Sequence, residues 1–246
     1  MAEEIVVVRD LVKIYAKNVK AVDNISFKVH EGEIYGLIGP NGAGKTTTLR
    51  IMATILEPTS GDVLIAGYSV TKEPDNVRKI ISYLPEEAGG YKYLTGLEFL
   101  EFIASFYFSD KDIIRKTVIE GAKLSGLGEA LNKKIKTYSK GMLRRLLVAK
   151  TLMVKPKVAI LDEPTSGLDV VNAVKVREAI KSYAKEYGVT VVLSSHNMLE
   201  VEYLCDRIGI IHKGKLLIEG RPDELKEKFD AKNLEEVFTR LVGEEQ

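Results

Sequence analysis

Apolar positions along this chain follow two rhythms. The first 35 residues carry strand-like runs. Ile5-Val6-Val7-Val8 is a short β-branched run, and Val12, Ile14, then Ile25, Phe27 and Val29 alternate with polar neighbours. Ile34-Tyr35-Gly36-Leu37-Ile38 is apolar without a break, the pattern of a strand covered on both faces of a parallel sheet. A glycine-rich loop follows, and the spacing predicts a helix over Thr46–Leu56, ended by Pro58. Thr59-Ser60-Gly61-Asp62 has the composition of a turn and Val63-Leu64-Ile65 that of a short strand. Residues 74–80 predict a short helix and Ile81–Leu84 a strand.

From about residue 95 to 138 the rhythm is helical. Leu97, Phe99, Leu100, Phe102, Ile103, Phe106 and Tyr107 recur at helix spacing, and Ile113, Ile114, Val118, Ile119, Ala122 and Leu124 do so again. Strand and helix then alternate: Val158–Leu161, a helix near 170–187, Val189–Leu193, a helix near 196–205, and Ile208–Ile211. That alternation predicts βαβ units and a parallel sheet. From Arg221 the tail reads as one or two amphipathic helices.

Composition narrows the function classes. The 246 residues are 45% hydrophobic, enough for a real core. Thirty-six Lys and Arg against 35 Asp and Glu leave +1, which argues against a generic nucleic-acid binder. The one cysteine, Cys205, excludes an internal disulfide and fits a cytosolic setting. Met1-Ala2-Glu3-Glu4 is acidic where a secretion signal needs basic charge. No stretch is long and apolar enough to span a bilayer, so work at a membrane requires a partner.

Four segments carry chemistry. Gly39-Pro40-Asn41-Gly42-Ala43-Gly44-Lys45-Thr46 fits the spacing G-x-x-x-x-G-K-[ST]. Its glycines let backbone N–H groups wrap phosphate oxygens, Lys45 sets a cation against the β- and γ-phosphates, and the Thr46 hydroxyl can ligate Mg²⁺. A nucleoside triphosphate with Mg²⁺ is the ligand this loop predicts. Val158–Leu161 ends in Asp162-Glu163, at the carboxyl edge of a strand where open α/β sheets bind ligands. Asp162 can hold the Mg²⁺ shell, and Glu163 can polarise an attacking water. Tyr138-Ser139-Lys140-Gly141-Met142 opens a helix, with Ser139 as its cap and Gly141 leaving the backbone open to an anion. Ser166–Asp169 follows the two acids, and Ser194-Ser195-His196 ends an apolar strand. Of the three histidines only His196 sits at the expected ligand edge, where a neutral imidazole can donate to a γ-phosphate; His30 and His212 have no partner motif.

In this order the motifs resemble the ATP-binding cassette ATPases, the nucleotide-binding subunits of ABC transporters. The resemblance runs from about residue 4 to 240. It implies an α/β fold with a P-loop NTPase core, a mostly parallel sheet and an N-terminal antiparallel β subdomain. It also implies a helical subdomain inserted at about 95–155 of a 1–220 ATPase domain, followed by a short helical tail, 221–246. It assigns ATP to Gly39–Thr46 and Thr47, with Tyr15 stacking on adenine. Lys45, Glu163 and His196 become the catalytic residues, and Thr46, Asp162 and Glu86 the metal residues. Ser139 and Gly141 would cover the ATP of a second subunit.

The family usually has Gln where this chain has Glu86, and Gly and Gln where it has Lys140 and Met142. These departures, and Asn233–Phe238, resemble the branch that energises exporters. The expected partners are a second ATPase subunit and membrane permease subunits, contacted through Ala88–Tyr93, with the chain held at the cytoplasmic face of the membrane. The alternative is a soluble cassette acting on another macromolecule. Such relatives carry two cassettes or a long coiled coil, which this length does not accommodate. The Ser139–Met142 and Ser166–Asp169 segments and the helical insertion argue against a small P-loop kinase, and the presence of Lys45, Asp162, Glu163 and His196 together argues against a non-hydrolysing cassette.

Overall fold

The computed structural model describes residues 3–243; Met1, Ala2 and residues 244–246, the last of the predicted tail, lie outside them. In chain order the strands and helices are β1 (Glu4–Tyr15), β2 (Val19–His30), β3 (Ile34–Ile38), α1 (Lys45–Met52), β4 (Ser60–Ile65), β5 (Tyr68–Ser69), α2 (Pro74–Arg78) and β6 (Ile81–Leu84). Then come α3 (Gly96–Tyr107), α4 (Lys111–Ser125), α5 (Lys140–Leu152), β7 (Val158–Asp162), α6 (Val170–Tyr187), β8 (Thr190–Ser195) and α7 (Met198–Leu204). β9 (Arg207–His212), β10 (Lys215–Gly220), α8 (Pro222–Lys228) and α9 (Leu234–Gly243) follow.

The strands form two sheets. One has the order β2-β1-β4-β5, antiparallel throughout. The other has the order β10-β9-β3-β8-β7-β6, parallel except for the edge strand β10. The alternation of side chains along the parallel strands builds two cores. Ile34 and Ile38 of β3, Ala159 and Leu161 of β7, and Val191 and Leu193 of β8 face one cluster, shared with α3, α5, α6 and α7. Tyr35 and Leu37, Val158 and Ile160, and Val192 face the other, shared with α1 and the antiparallel sheet. Both faces are covered, which is why these strands read as unbroken apolar runs. Burying a side chain such as Leu37, fully covered here, contributes about 1.5–3 kcal/mol.

Local chemistry sets the helix ends. Thr95 and Glu98 form a reciprocal capping box at the start of α3. Asp169 caps α6 by accepting from Asn172 N, and Gly188, at φ 65°, stops it.

The structure departs from the sequence expectations in four places. The two predicted N-terminal strands are one, β1, which continues through bulges beside Asp10, whose φ is 46°. Thr59–Asp62 is not wholly a turn, because β4 begins at Ser60; Gly61, at φ 79°, packs against the backbone of that bulge, where a Cβ would clash. The helix after the glycine loop stops at Met52, because Thr54 turns to φ 58°. The edge strands β5 and β10 are not among the predicted elements.

Candidate functional site

The carboxyl ends of β3, β7 and β8 meet at one edge of the parallel sheet. β3 delivers the glycine loop, β7 delivers Asp162 and β8 delivers Ser194 and Ser195, with Asp162 directly beside Ser194 in register. The loop turns tightly into α1 because Gly42 and Gly44 take φ of 79° and 110°, conformations costly for any other residue. A Cβ on Gly39 or Gly44 would also strike the carbonyl of Ile211 or Ala21. The loop thus presents the unpaired first-turn N–H groups of α1 at the sheet edge, the geometry that binds phosphate.

Lys45, the first residue of α1, is buried. Its ammonium donates to the carbonyls of Gly39 (2.7 Å) and Pro40 (3.1 Å) and lies 3.4 Å from Glu163 Oε1. The Thr46 hydroxyl donates to Asp162 Oδ1 at 3.1 Å. Asp162 is fully buried and also accepts from Ser194 Oγ (2.6 Å) and Tyr83 Oη (3.4 Å). Burial, and then the Asp162 charge, push the Tyr83 phenol up to about 12, so it stays a donor.

Glu163 is strained. Its φ is 48°, rare for a side chain this long, and the Ser194 hydroxyl accepts its N–H at 2.9 Å. The twist turns its carboxylate away from Asp162 towards His196, whose Nδ1 lies 2.8 Å from Glu163 Oε2. This bears on the histidine expectation. A neutral imidazole that donates through Nδ1 carries no proton on Nε2. In this arrangement His196 orients Glu163; donating to phosphate at the same time requires the imidazolium, or exchange of the Glu163 bond.

Thr46 and Asp162 fit Mg²⁺: a hydroxyl and a carboxylate, both hard oxygen donors, leave the other positions to phosphate and water. Among the described residues no three His, Cys, Asp or Glu side chains group as a metal site, so any cation there must share its shell with the ligand. Glu86 is exposed in the loop after β6, and its backbone carbonyl, not its carboxylate, is tied towards the site. Tyr15 is partly exposed with its hydroxyl 3.4 Å from Thr47 Oγ1, which places the ring beside the glycine loop.

Ser139 caps α5 by accepting from Met142 N at 3.2 Å. Gly141 packs so closely on Asn172 of α6 that a Cβ would come within 2.6 Å of its amide. Neither Ser139 nor Gly141 is hydrogen-bonded to the glycine loop among the described residues. They form a second, separate helix start, at which Gly141 is buried against α6 and not open as the sequence suggested.

Sequence reasoning missed Tyr83, Ser194 and Glu200 as parts of this site. The Glu200 carboxyl is buried, which pushes it up, and Thr165 and Ser195 hydroxyls donate to it. The signal for Ser194 was its place level with Asp162 on a neighbouring strand. Tyr83 had no such signal. Beyond the sheet edge, Tyr91 packs edge-on against Phe102 (5.2 Å) and Phe102 against Phe106 (4.9 Å). With Tyr93 at 79% and Phe106 at 70% exposure, they make an aromatic surface beside the loop that carries Glu86.

Similarity to other proteins agrees with this geometry. The profile of the family described as ABC transporter matches residues 22–166. An uncharacterized ABC transporter ATP-binding protein of Bacillus subtilis (strain 168), YhcH, is 42% identical over 212 residues, covering 85% of this chain and 68% of YhcH. The bacitracin transport ATP-binding protein BcrA of Bacillus licheniformis is 39% identical over 219 residues, covering 89% and 70%. Among solved structures, an ATP binding subunit of an ABC transporter superposes with a TM-score of 0.85 at 28% identity, covering 97% of this chain and 99% of that one. A dimeric, post-hydrolysis ATP-binding cassette, MJ0796 bound to ADP and Pi, gives a TM-score of 0.79 at 27% identity, covering 88% and 98%. With the glycine loop, the strained acid and the capped second helix in these positions, the chain belongs to the ABC transporter family, as an ATP-binding and ATP-hydrolysing cassette.

Proposed function

We propose that this chain is the motor subunit of an ABC exporter: two cassettes close on two ATP molecules, hydrolyse them, and thereby drive a separate permease from the cytoplasmic face of the membrane. The observation that carries the reading is the Glu163 carboxylate, held between His196 and Lys45 at the edge where the glycine loop ends. The likeness to BcrA, a bacitracin transport protein by name, supports transport as the work the cassette powers. The dimeric state of MJ0796 supports pairing.

Each residue has a role in this reading. The amides of Asn41, Gly42 and Gly44, and of Lys45 to Thr47, wrap the phosphates, while Gly39 and Ala43, whose N–H groups donate to Ser195 and Pro40 carbonyls, shape the loop with Pro40, and Tyr15 lies against the base. Lys45 exchanges the carbonyls of Gly39 and Pro40 for β- and γ-phosphate oxygens. Thr46 and Asp162 would hold Mg²⁺, which would supply charge neutralisation on the phosphates, and the exposed Glu86 carboxylate would reach it only once the loop after β6 moves in. Glu163 takes a proton from water as its oxygen bonds the γ-phosphorus and the bond to the β–γ bridging oxygen breaks, releasing ADP and inorganic phosphate. Ser139 and Gly141 of the second chain bring another helix N-terminus to the γ-phosphate. The cassette then comprises residues 1–220 with the helical part at 95–155 inserted, and the tail from 221 packs behind it. The permease docks on the aromatic surface around Tyr91 and Phe106, continuous with Ala88–Tyr93.

Steady-state hydrolysis measured over a range of protein concentrations tests the reading. Turnover per chain that rises with concentration and then saturates is the expected result. Turnover independent of concentration would mean that one chain completes the site alone, and the closing-dimer reading would be abandoned.

A further inference from the structure

Arg144 lies on α5, five residues beyond Ser139 and so less than two turns along the same helix. It is buried, 7% exposed, and its guanidinium reaches two stretches of backbone at once. Nη1 donates to the carbonyls of Pro85 (3.0 Å) and Glu86 (3.0 Å), Nη2 to those of Asp162 (2.8 Å) and Glu163 (2.6 Å), and Nε to that of Pro164 (2.8 Å). No side-chain carboxylate is among these partners. Burial pulls the guanidinium down from its ordinary range, against the opposing pull of Asp162, Glu86 and Glu163, yet it remains a cation. A cation held in this way does not neutralise a charge by contact; it fixes where the backbone runs. The rigid fork of Arg suits this task, since a Lys ammonium has three donors and no fixed plane.

The backbone it fixes is that of the site. The same grip holds the loop bearing Glu86 and the turn bearing Glu163, whose φ of 48° needs external support. The start of α5, little more than one turn before Arg144, is the helix end that, under the closing-dimer reading above, covers the partner's ATP. We propose that Arg144 is a positioning residue that couples the two ATP sites. When Ser139 and Gly141 engage the partner's nucleotide, any shift of α5 is passed through Arg144 to Glu163 and Glu86 of its own chain. The inference rests on that dimer reading.

The test compares steady-state ATP hydrolysis of the native chain, Arg144→Lys and Arg144→Gln over a range of ATP concentrations, with thermal melting as the fold control. Because the clamp acts on Glu163 and not on the glycine loop, Arg144→Lys should lose at least about tenfold in kcat while its KM stays within about twofold. The Hill coefficient for ATP should fall towards 1. Arg144→Gln, with fewer donors, should lose more. A folded Arg144→Lys with native kcat and Hill coefficient overturns the proposal, as does a kcat loss that only tracks the loss of folded protein. Glu163→Gln, sized with ATP in the same series, separates the two claims: if it stays monomeric the dimer reading fails, and if it dimerises the kinetics of the Arg144 variants decide the coupling claim alone.

Discussion

Two adjacent carboxylates at the end of β7 do different work because the backbone turns between them. Asp162 continues the strand and is fully buried among Thr46, Ser194 and Tyr83, all of which donate to it. Glu163 takes a left-handed φ and swings to His196 and Lys45. The acids themselves were legible from the apolar strand that precedes them. The turn was not, because nothing in a Glu codes for positive φ; it depends on Ser194 and on the Arg144 grip from elsewhere in the chain. Asp162→Asn keeps the shape and removes the charge. Its affinity for ATP in excess EDTA should stay near native, while the gain that Mg²⁺ adds to native binding should be largely lost. Titration of a fluorescent ATP analogue with and without Mg²⁺ measures this, and an undiminished Mg²⁺ gain would remove Asp162 from the metal shell.

At the scale of elements, helices were easiest to read where caps and stops were explicit. α6 begins after Asp169 and ends before Gly188, as its residues dictate. α1 ended early because the left-handed turn at Thr54 has no sequence signature. β10 was overlooked although its turn was present: Lys213 and Gly214, at φ 45° and 80°, join His212 to Lys215 across a two-residue hairpin. The X-Gly pair between two apolar runs was the available signal. α5 was legible in part, its cap at Ser139 being foreseen and the buried Arg144 on its far side not. Ser139→Ala should lower stability by about 1 kcal/mol through loss of the cap on Met142 N, a small change in melting temperature. Its turnover should fall by about tenfold or more, because in the proposed dimer the same hydroxyl would face the partner's phosphate. Melting and turnover measured on one preparation separate the two, and a turnover loss no larger than the stability loss would confine Ser139 to capping.

At the scale of the molecule, the parallel sheet brings the glycine loop, Asp162, Glu163 and His196 to one edge, while α5 opens elsewhere with its own helix start. One chain therefore holds the glycine loop at one place and a separate helix start at another, and under the proposed dimer each would be completed by the other copy. The order of motifs made the first half of that plan readable. The second half needed the resemblance to a family, because no spacing within one chain can show that its pieces meet in another.

The most direct measurement is the mass of Glu163→Gln in solution by light scattering, without nucleotide, with ADP, and with ATP and Mg²⁺. If Glu163 is the general base as proposed, the substitution should cut turnover by about 10²–10⁴-fold. It leaves the ATP contacts in place, so ATP with Mg²⁺ should convert the variant to a stable dimer of twice the 27.3 kDa chain, with ADP leaving it monomeric. A variant that binds ATP yet stays monomeric, or one that hydrolyses at the native rate, would contradict the closing-dimer mechanism.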